Sequence, residues 1–292
     1  MSANLLDREE YVEQAYFFRA YRDRLADGVP SQEILHQVRE ELLSTTRLPV
    51  ALEVIEGELL LRGQLVDGMQ HLGHYFTPFQ IFVIGQSEDE KARFDQFTAL
   101  HVLQKEAEYR AEEPTPQGLF IYHFEAISRN HLGYDRGLEA VAADPIYSED
   151  FRDWILKIRT ELGTIDFADM IYVRSEQMVA DQRRRRGDDD WQAGYPILFG
   201  LKEGRIAMAN RGKDPLYMFA ALQRQLHFPQ VPRTKRAKDV KLEPVLERRL
   251  QTIEKRLQLV ESEIKGGIFF HDLKKRRKES QKASEHALSQ QR

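Results

Sequence analysis

The sequence has no cysteine among its 292 residues, so disulfides, thiolate metal sites and thiol nucleophiles are excluded. It also lacks long apolar runs, since LLL at 59–61 and IFVI at 81–84 are far too short to cross a bilayer. The first ten residues, MSANLLDREE, lack the apolar stretch of a secretory signal. Together these features predict a soluble, cytoplasmic protein.

Common catalytic motifs are missing as well. The sequence contains no G-x-S-x-G, no G-x-x-x-x-G-K-[ST] and no G-x-G-x-x-G. Glu33 with His36, and His71 with His74, each share a helical face, but a di-iron bundle needs the E-x-x-H pair twice and the sequence has it once. We therefore interpret these histidines as ordinary hydrogen-bonding residues and predict no catalytic residue, metal or cofactor.

Charge is present but unevenly distributed. Residues 1–116 carry a net charge of −10, residues 117–232 carry −2, and residues 233–292 carry +8. A basic C-terminal segment on an acidic body fits either an anionic partner or a contact with the protein's own acidic surface. The overall pI near 6.2 weakens the nucleic-acid interpretation, because dedicated binders are basic as whole domains.

The first 113 residues read as helices joined by short turns. We predict helices over 7–27, 31–42, 46–62, 65–75 and 77–113 from their apolar spacing and their start and stop signals. Asp7 with Glu10 resembles a capping box, Ser31 is a second cap, and Gly63 suits a C-terminal stop. Thr77 before Pro78 is a strong start signal, while Gly85 is a candidate break in the last helix. These residues predict an antiparallel helical bundle.

The pattern changes after PTPQG at 114–118. LFIYHF at 119–124 fits either a buried strand or a helix, so 118–132 stays open between the two. MIYVRSE at 170–176 alternates like a strand, and 197–210 resembles a β-hairpin that turns at Lys202–Arg205. FRDWILKIRTEL (151–162, with Ser148 as cap) and PLYMFAALQRQL (215–226) read as helices, and RRRRGDDDWQAG (183–194) as a mobile loop.

The fold class that follows is α+β and predominantly helical. It combines the N-terminal bundle, a small antiparallel sheet with helices and a C-terminal coiled-coil helix. The predicted segments are 1–113 (bundle), 114–232 (α+β unit), 233–245 (basic linker), 246–265 (coiled-coil helix) and 266–292 (basic, disordered tail).

The C-terminal segment carries the clearest pattern of the sequence. Apolar residues separated by 4, 3, 4, 3 and 4 positions form a heptad repeat at Leu246, Leu250, Ile253, Leu257, Val260 and Ile264. This spacing predicts a coiled-coil seam between copies of the chain. The alternative is one amphipathic helix that packs on the protein's own bundle.

Charges beside the seam favour parallel pairing. Arg249 and Arg256 occupy g positions, and Glu254 and Glu261 occupy e positions, so a parallel partner would bring opposite charges together. Antiparallel self-pairing would instead oppose glutamates. Mostly leucine at a with β-branched residues at d leans toward four strands over two. The sequence therefore predicts a homo-oligomer.

Two basic groups are candidates for anion binding. Arg205, Arg211 and Lys213 surround the predicted start of the 215–226 helix, where free N–H groups and the helix dipole attract anions. Asp214 and Pro215 offer the plainer interpretation of a helix cap. The run Lys274, Lys275, Arg276, Arg277 and Lys278 fits a solvated tail or subunit contact, a nucleic-acid contact or, least, a membrane surface.

Four segments of the sequence carry a resemblance to other proteins: AYFFRAYRDRL (15–25), HYFTPFQ (74–80), EAEYRA (106–111) and KEGRIAMANRGKDPLYMFAALQRQL (202–226). They resemble an uncharacterised family of bacterial hypothetical proteins, over residues 1–232. No activity, ligand or site is known for that family. The resemblance implies only that the bundle and the α+β unit recur together.

The leading functional hypothesis is a cytoplasmic, non-enzymatic interaction or scaffold protein that self-associates through 246–264, with an unknown protein partner. The alternatives are a nucleic-acid-associated protein using the basic C-terminal segments and, less favoured, an enzyme acting on an anionic small molecule. Membrane association is not expected.

Overall fold

The computed structural model describes residues 6–89, 92 and 94–234, which belong to one compact unit, Met1–Thr234. Thirteen helices and no strands account for the regular structure of this described part. The helices are α1 (Arg8–Ala26), α2 (Ser31–Glu41), α3 (Leu48–Arg62), α4 (Leu65–His71), α5 (Pro78–Glu88), α6 (Gln96–Ala111), α7 (Pro116–Arg129), α8 (Tyr134–Ala142), α9 (Glu149–Glu161), α10 (Phe167–Val173), α11 (Glu176–Arg186), α12 (Leu201–Ala209) and α13 (Pro215–Leu226).

Several predicted helix boundaries are confirmed. Thr77 accepts a hydrogen bond from the backbone of Gln80, whose side chain accepts one from the Thr77 backbone, so α5 begins with a full capping box. Gly63 ends α3 in the left-handed region at φ +79°. Ser148 caps α9 by accepting from Phe151 N. The start and stop chemistry in the sequence therefore locates these helix ends.

Other boundary predictions are wrong in detail. Asp7 flanks α1 but makes no side-chain cap, and Glu10 turns inward, where it accepts from Arg47 N and Tyr75 Oη. Ser31 is the first residue of α2 and not its cap. The break in the predicted 77–113 helix lies between Glu88 and Gln96, and Gly85 is inside α5.

The predicted antiparallel sheet is absent from the described residues. The segment 170–176 belongs mostly to α10, and most of 197–210 forms α12. Two isolated parallel bridges are the only β-pairing of the described residues: Ser175 with Phe199, which joins the two segments, and Leu162 with Ile165 outside them. The fold of the described part is therefore helical, and the α+β assignment is wrong.

Gly204 shows why the hairpin prediction failed. This glycine belongs to the predicted hairpin turn at Lys202–Arg205, but it lies inside α12 where that helix approaches Ser175. A Cβ on Gly204 would lie 2.2 Å from Ser175 Oγ and 2.6 Å from Gln177 Cβ. The absence of a side chain at Gly204 lets α12 pack closely on Ser175 and Gln177. From a short apolar sequence alone, a glycine of this kind cannot be told from a glycine in a β-turn.

The open segment 119–124 is helical and belongs to α7. Every residue from Gly118 to Ile127 is buried, so this helix is covered on all sides. A helix that is covered on all sides lies inside a core, and its sequence lacks the one-sided pattern of a surface helix. The predicted loop at 183–194 also needs correction, because its arginines continue α11 to Arg186.

One hydrophobic core extends through the described helices. Its aromatic centre places Phe120 of α7 within 5.0 Å of Trp154 of α9 and 5.7 Å of Phe151, measured between ring centroids. Phe124 stacks on Phe167 of α10 at 4.0 Å. This cluster fixes α9 and α10 against the central helix and so shapes the surface between them.

Candidate functional site

The predicted anion-binding residues follow α12, in the turn that leads into α13. Asp214 Oδ1 accepts from Leu216 N at 2.9 Å and caps α13. Gly212, at φ +67°, donates its N–H to Asp166 Oδ2 at 2.7 Å. The cap of α13 is therefore formed by the protein's own carboxylate.

The three predicted cations contact different parts of the protein. Arg205 Nε donates to Gln177 Oε1 at 2.9 Å. Lys213 Nζ donates to the carbonyl of Ala209, at the end of α12, at 2.6 Å. Arg211 forms an ion pair with Asp169 of α10, and its Cζ lies 4.3 Å from the centroid of the Tyr172 ring. These contacts direct the three side chains to separate partners.

Asp169 connects Arg211 to a surface cleft between α9 and α10. The cleft has a volume of about 180 Å³, enough for an apolar group of several carbon atoms. Its apolar wall and charged rim are formed by Trp154, Lys157, Ile158, Glu161, Ile165, Asp169, Met170, Val173 and Arg174. Buried aromatic and aliphatic side chains with a few polar groups are typical of small-molecule sites.

The charges around the cleft are largely paired. Lys157 Nζ lies 3.5 Å from Glu161 Oε1, one turn along α9, and Asp169 is paired with Arg211. Arg174 differs: its Nη1 donates to the Pro196 carbonyl at 3.1 Å, and its Cζ lies 4.7 Å from the Tyr195 ring centroid. Within the described residues no carboxylate lies within 4.0 Å of this guanidinium. Among the charged residues that line the cleft, Arg174 is therefore the one without an ion-pair partner in the described part of the chain.

A second charged group lies in the core and was not predicted. Arg110 of α6 donates from Nε to Glu106 Oε1 at 2.9 Å and forms an ion pair with Asp144. His123 Nε2 lies 2.9 Å from Glu106 Oε1, and the Tyr147 hydroxyl lies 3.5 Å from His123 Nδ1. We call Glu106, Arg110, His123 and Asp144 the core charge network. All four side chains are at most 1% exposed.

Burial and charge act on the pKa values of this network in opposite directions. Burial alone would raise the pKa of Glu106, but the charge of Arg110 and the hydrogen bond from His123 outweigh it and lower that pKa to about 2. Burial lowers the pKa of His123 despite its bond to Glu106. Burial would lower the pKa of Arg110, but Asp144 and Glu106 raise it well above its usual value. The network holds ionised groups away from water, which fits a structural role.

Sequence reasoning had one usable signal for this network. Glu106 and Arg110 are four residues apart, the spacing that pairs opposite charges on a helix. The same spacing is common on solvated helices, and nothing local marks this pair as buried. Asp144 and His123 join it only through the packing of α7 and the turn after α8.

The predicted histidine pairs lie at the surface. His36 Nδ1 is 4.0 Å from Glu56 Oε1, and His71 Nδ1 is 3.4 Å from Glu58 Oε1, with both imidazoles more than half exposed. Across 6–89, 92 and 94–234, no three His, Asp or Glu side chains are arranged to share a metal ion. No helix in that part of the chain is long and apolar enough to span a membrane.

The other predicted sites, the seam at 246–264 with its four charges and the basic run at 274–278, lie outside the described residues. Comparisons of the chain with protein-family models, with curated proteins and with solved structures found no match.

Proposed function

We propose that this chain is a cytoplasmic interaction protein whose copies associate in parallel through residues 246–264. The observation that carries the proposal is the heptad spacing of Leu246, Leu250, Ile253, Leu257, Val260 and Ile264. An amphipathic helix of this pattern buries its apolar stripe against another helix, because water contact with that stripe is unfavourable.

The described body supports the proposal through the way it holds the start of that segment. Phe228 and Val231 are buried, so the chain remains packed on the body after α13. Asn130 Nδ2 donates to the Pro232 carbonyl at 3.0 Å, and its Oδ1 accepts from Thr234 N at 2.9 Å. The described chain is therefore held to the helical body as far as Thr234.

Sedimentation of the full chain tests the proposal. We expect the native chain to sediment as a multiple of 34.2 kDa and the double variant Leu250→Asp, Leu257→Asp as a single chain. A matched control places the same two charges at outward-facing b positions, Gln251→Asp with Gln258→Asp, and retains the native mass. A native protein that sediments at 34.2 kDa, or a seam variant with the native oligomer mass, contradicts the proposal.

Charge exchange tests the parallel arrangement separately. Arg249→Glu with Arg256→Glu places like charges at paired g and e positions and weakens association. Adding Glu254→Arg and Glu261→Arg to the same chain restores opposite charges and recovers association. If the fourfold variant stays as weak as the twofold variant, the parallel register is wrong.

A further inference from the structure

The cleft between α9 and α10 combines an apolar wall with one arginine, Arg174, that has no ion-pair partner among the described residues. Trp154 and Ile158 line the cleft and are buried, at 4% and 1% exposed. Ile165 and Val173 also line it, and each is 41% exposed to solvent. Apolar edge residues of this exposure lose contact with water when an apolar group fills the space between them. The wall therefore favours an apolar ligand.

Arg174 supplies the charge that selects among apolar ligands. A guanidinium has five N–H donors, and in the described part of the chain Arg174 uses one of them, on the Pro196 carbonyl. The Tyr195 ring and that carbonyl hold the side chain in place, so little side-chain entropy remains to be lost on binding. A planar donor group of this kind matches the two oxygens of a carboxylate.

The other charged side chains at the cleft have ion-pair partners, so Arg174 is the side chain that can bind an anion. Lys157 and Glu161 neutralise each other, and Arg211 neutralises Asp169. An added amine would be repelled by the Arg174 guanidinium and offers it no acceptor, and a neutral apolar ligand would leave the guanidinium donors unpaired. From wall and charge together we infer that the α9–α10 cleft binds a small carboxylate with an apolar body, its head group on Arg174.

This ligand chemistry has two sources, a free aliphatic acid and the apolar C-terminal residue of a peptide. The site is separate from the association proposed for residues 246–264, so either proposal can fail without the other. The chain has two tryptophans, Trp154 in the cleft and Trp191 elsewhere, and Trp191→Phe in the full chain leaves Trp154 as the reporter.

Titration of this variant with hexanoate, followed by Trp154 fluorescence, tests the inference. We expect saturable binding on the order of 1 mM, about fourfold tighter for each CH₂ added from butanoate to hexanoate. Acetate lacks the apolar body and hexylamine reverses the charge, so neither gives saturation in that range. N-acetyl-leucine and its amide separate the two sources. Binding of N-acetyl-leucine but not of its amide points to a peptide C-terminus. Binding of hexanoate without binding of N-acetyl-leucine points to a free aliphatic acid.

Variants locate the site. Arg174→Gln weakens hexanoate binding about tenfold or more, and Ile165→Glu, which adds a carboxylate at the exposed edge, has a similar effect. Arg136→Gln, an exposed position on α8, leaves binding unchanged. Equal binding of hexanoate and hexylamine, no saturation with any acid, or full binding by a folded Arg174→Gln protein would overturn the inference.

Discussion

The core charge network and the charged residues of the α9–α10 cleft differ in how their charges are compensated. In the core charge network, Arg110 forms ion pairs with Glu106 and Asp144, and all three side chains are buried. Each of these charges is therefore compensated by a protein group and not by water. At the α9–α10 cleft the charged groups reach solvent, and Lys157 is 57% exposed beside Glu161. Removing a partner from a buried group leaves an uncompensated charge, whereas an exposed group is compensated by water. The interior network therefore bears on stability and the cleft on binding.

The largest expected effect comes from Arg110→Met. It leaves the buried carboxylates of Glu106 and Asp144 without their cation, and breaking a buried ion pair in this way costs about 3–5 kcal/mol of unfolding free energy. Urea denaturation followed by circular dichroism measures the loss. Arg136→Met, an exposed control, changes stability by no more than about 0.5 kcal/mol. A loss below about 1 kcal/mol for Arg110→Met would show that the network is not structurally important.

A smaller effect is expected from pH through His123. Its pKa is lowered by burial, so the unfolded chain takes up the proton first and stability falls as pH drops below about 6.5. Glu106 acts in the same direction further down, because the stability from its lowered pKa is present above pH about 4.5 and lost toward about 2. Each group contributes at most about 1.4 kcal/mol per pH unit.

His123→Gln checks the assignment of this pH dependence. We expect it to flatten the fall in unfolding free energy between pH 6.5 and 5, measured by urea denaturation at several pH values. The exposed His36→Gln control keeps the native slope. A native slope in His123→Gln would assign the pH dependence to other groups.

The smallest effect is expected at the cleft. Lys157→Met removes an exposed pair with Glu161 at 3.5 Å, and pairs of this kind contribute at most about 0.5 kcal/mol. Thermal and urea unfolding are expected to be nearly unchanged. A loss above about 1 kcal/mol would mean that the Lys157–Glu161 pair contributes more to stability than an exposed pair does, and would weaken the contrast with the core.

Local chemistry made parts of this fold predictable. Thr77 before Pro78, Ser148 and Gly63 locate helix ends because they satisfy or release backbone groups within one turn of the chain. Segments 170–176 and 197–210 were predicted wrongly because short apolar runs fit a strand and a helix about equally well. Their conformation is decided by the packing of α10 and α12 on each other, of α12 on α11 and α13, and of α10 on α7.

The candidate cleft was predictable only in fragments. Arg211 was selected for its place before α13, and the structure gives it Asp169 as a partner. Trp154 and Ile158 were visible only as one apolar face of a helix. No sequence pattern marks Arg174. What sets it apart is that no carboxylate of the described residues pairs with it, and this depends on the packing of the chain.

The sequence by itself determined the absence of thiol chemistry, the helical N-terminal third and a few helix boundaries, among them the starts of α5 and α9, because these depend on composition or on neighbours within four residues. It also provides the heptad spacing that predicts self-association. The tertiary structure decided that 119–124 is a fully buried helix, that the predicted sheet gives way to α10 and α12, and that Glu106 and Arg110 lie in the core. Burial and charge compensation depend on residues distant in sequence, and only the packed chain brings those residues together.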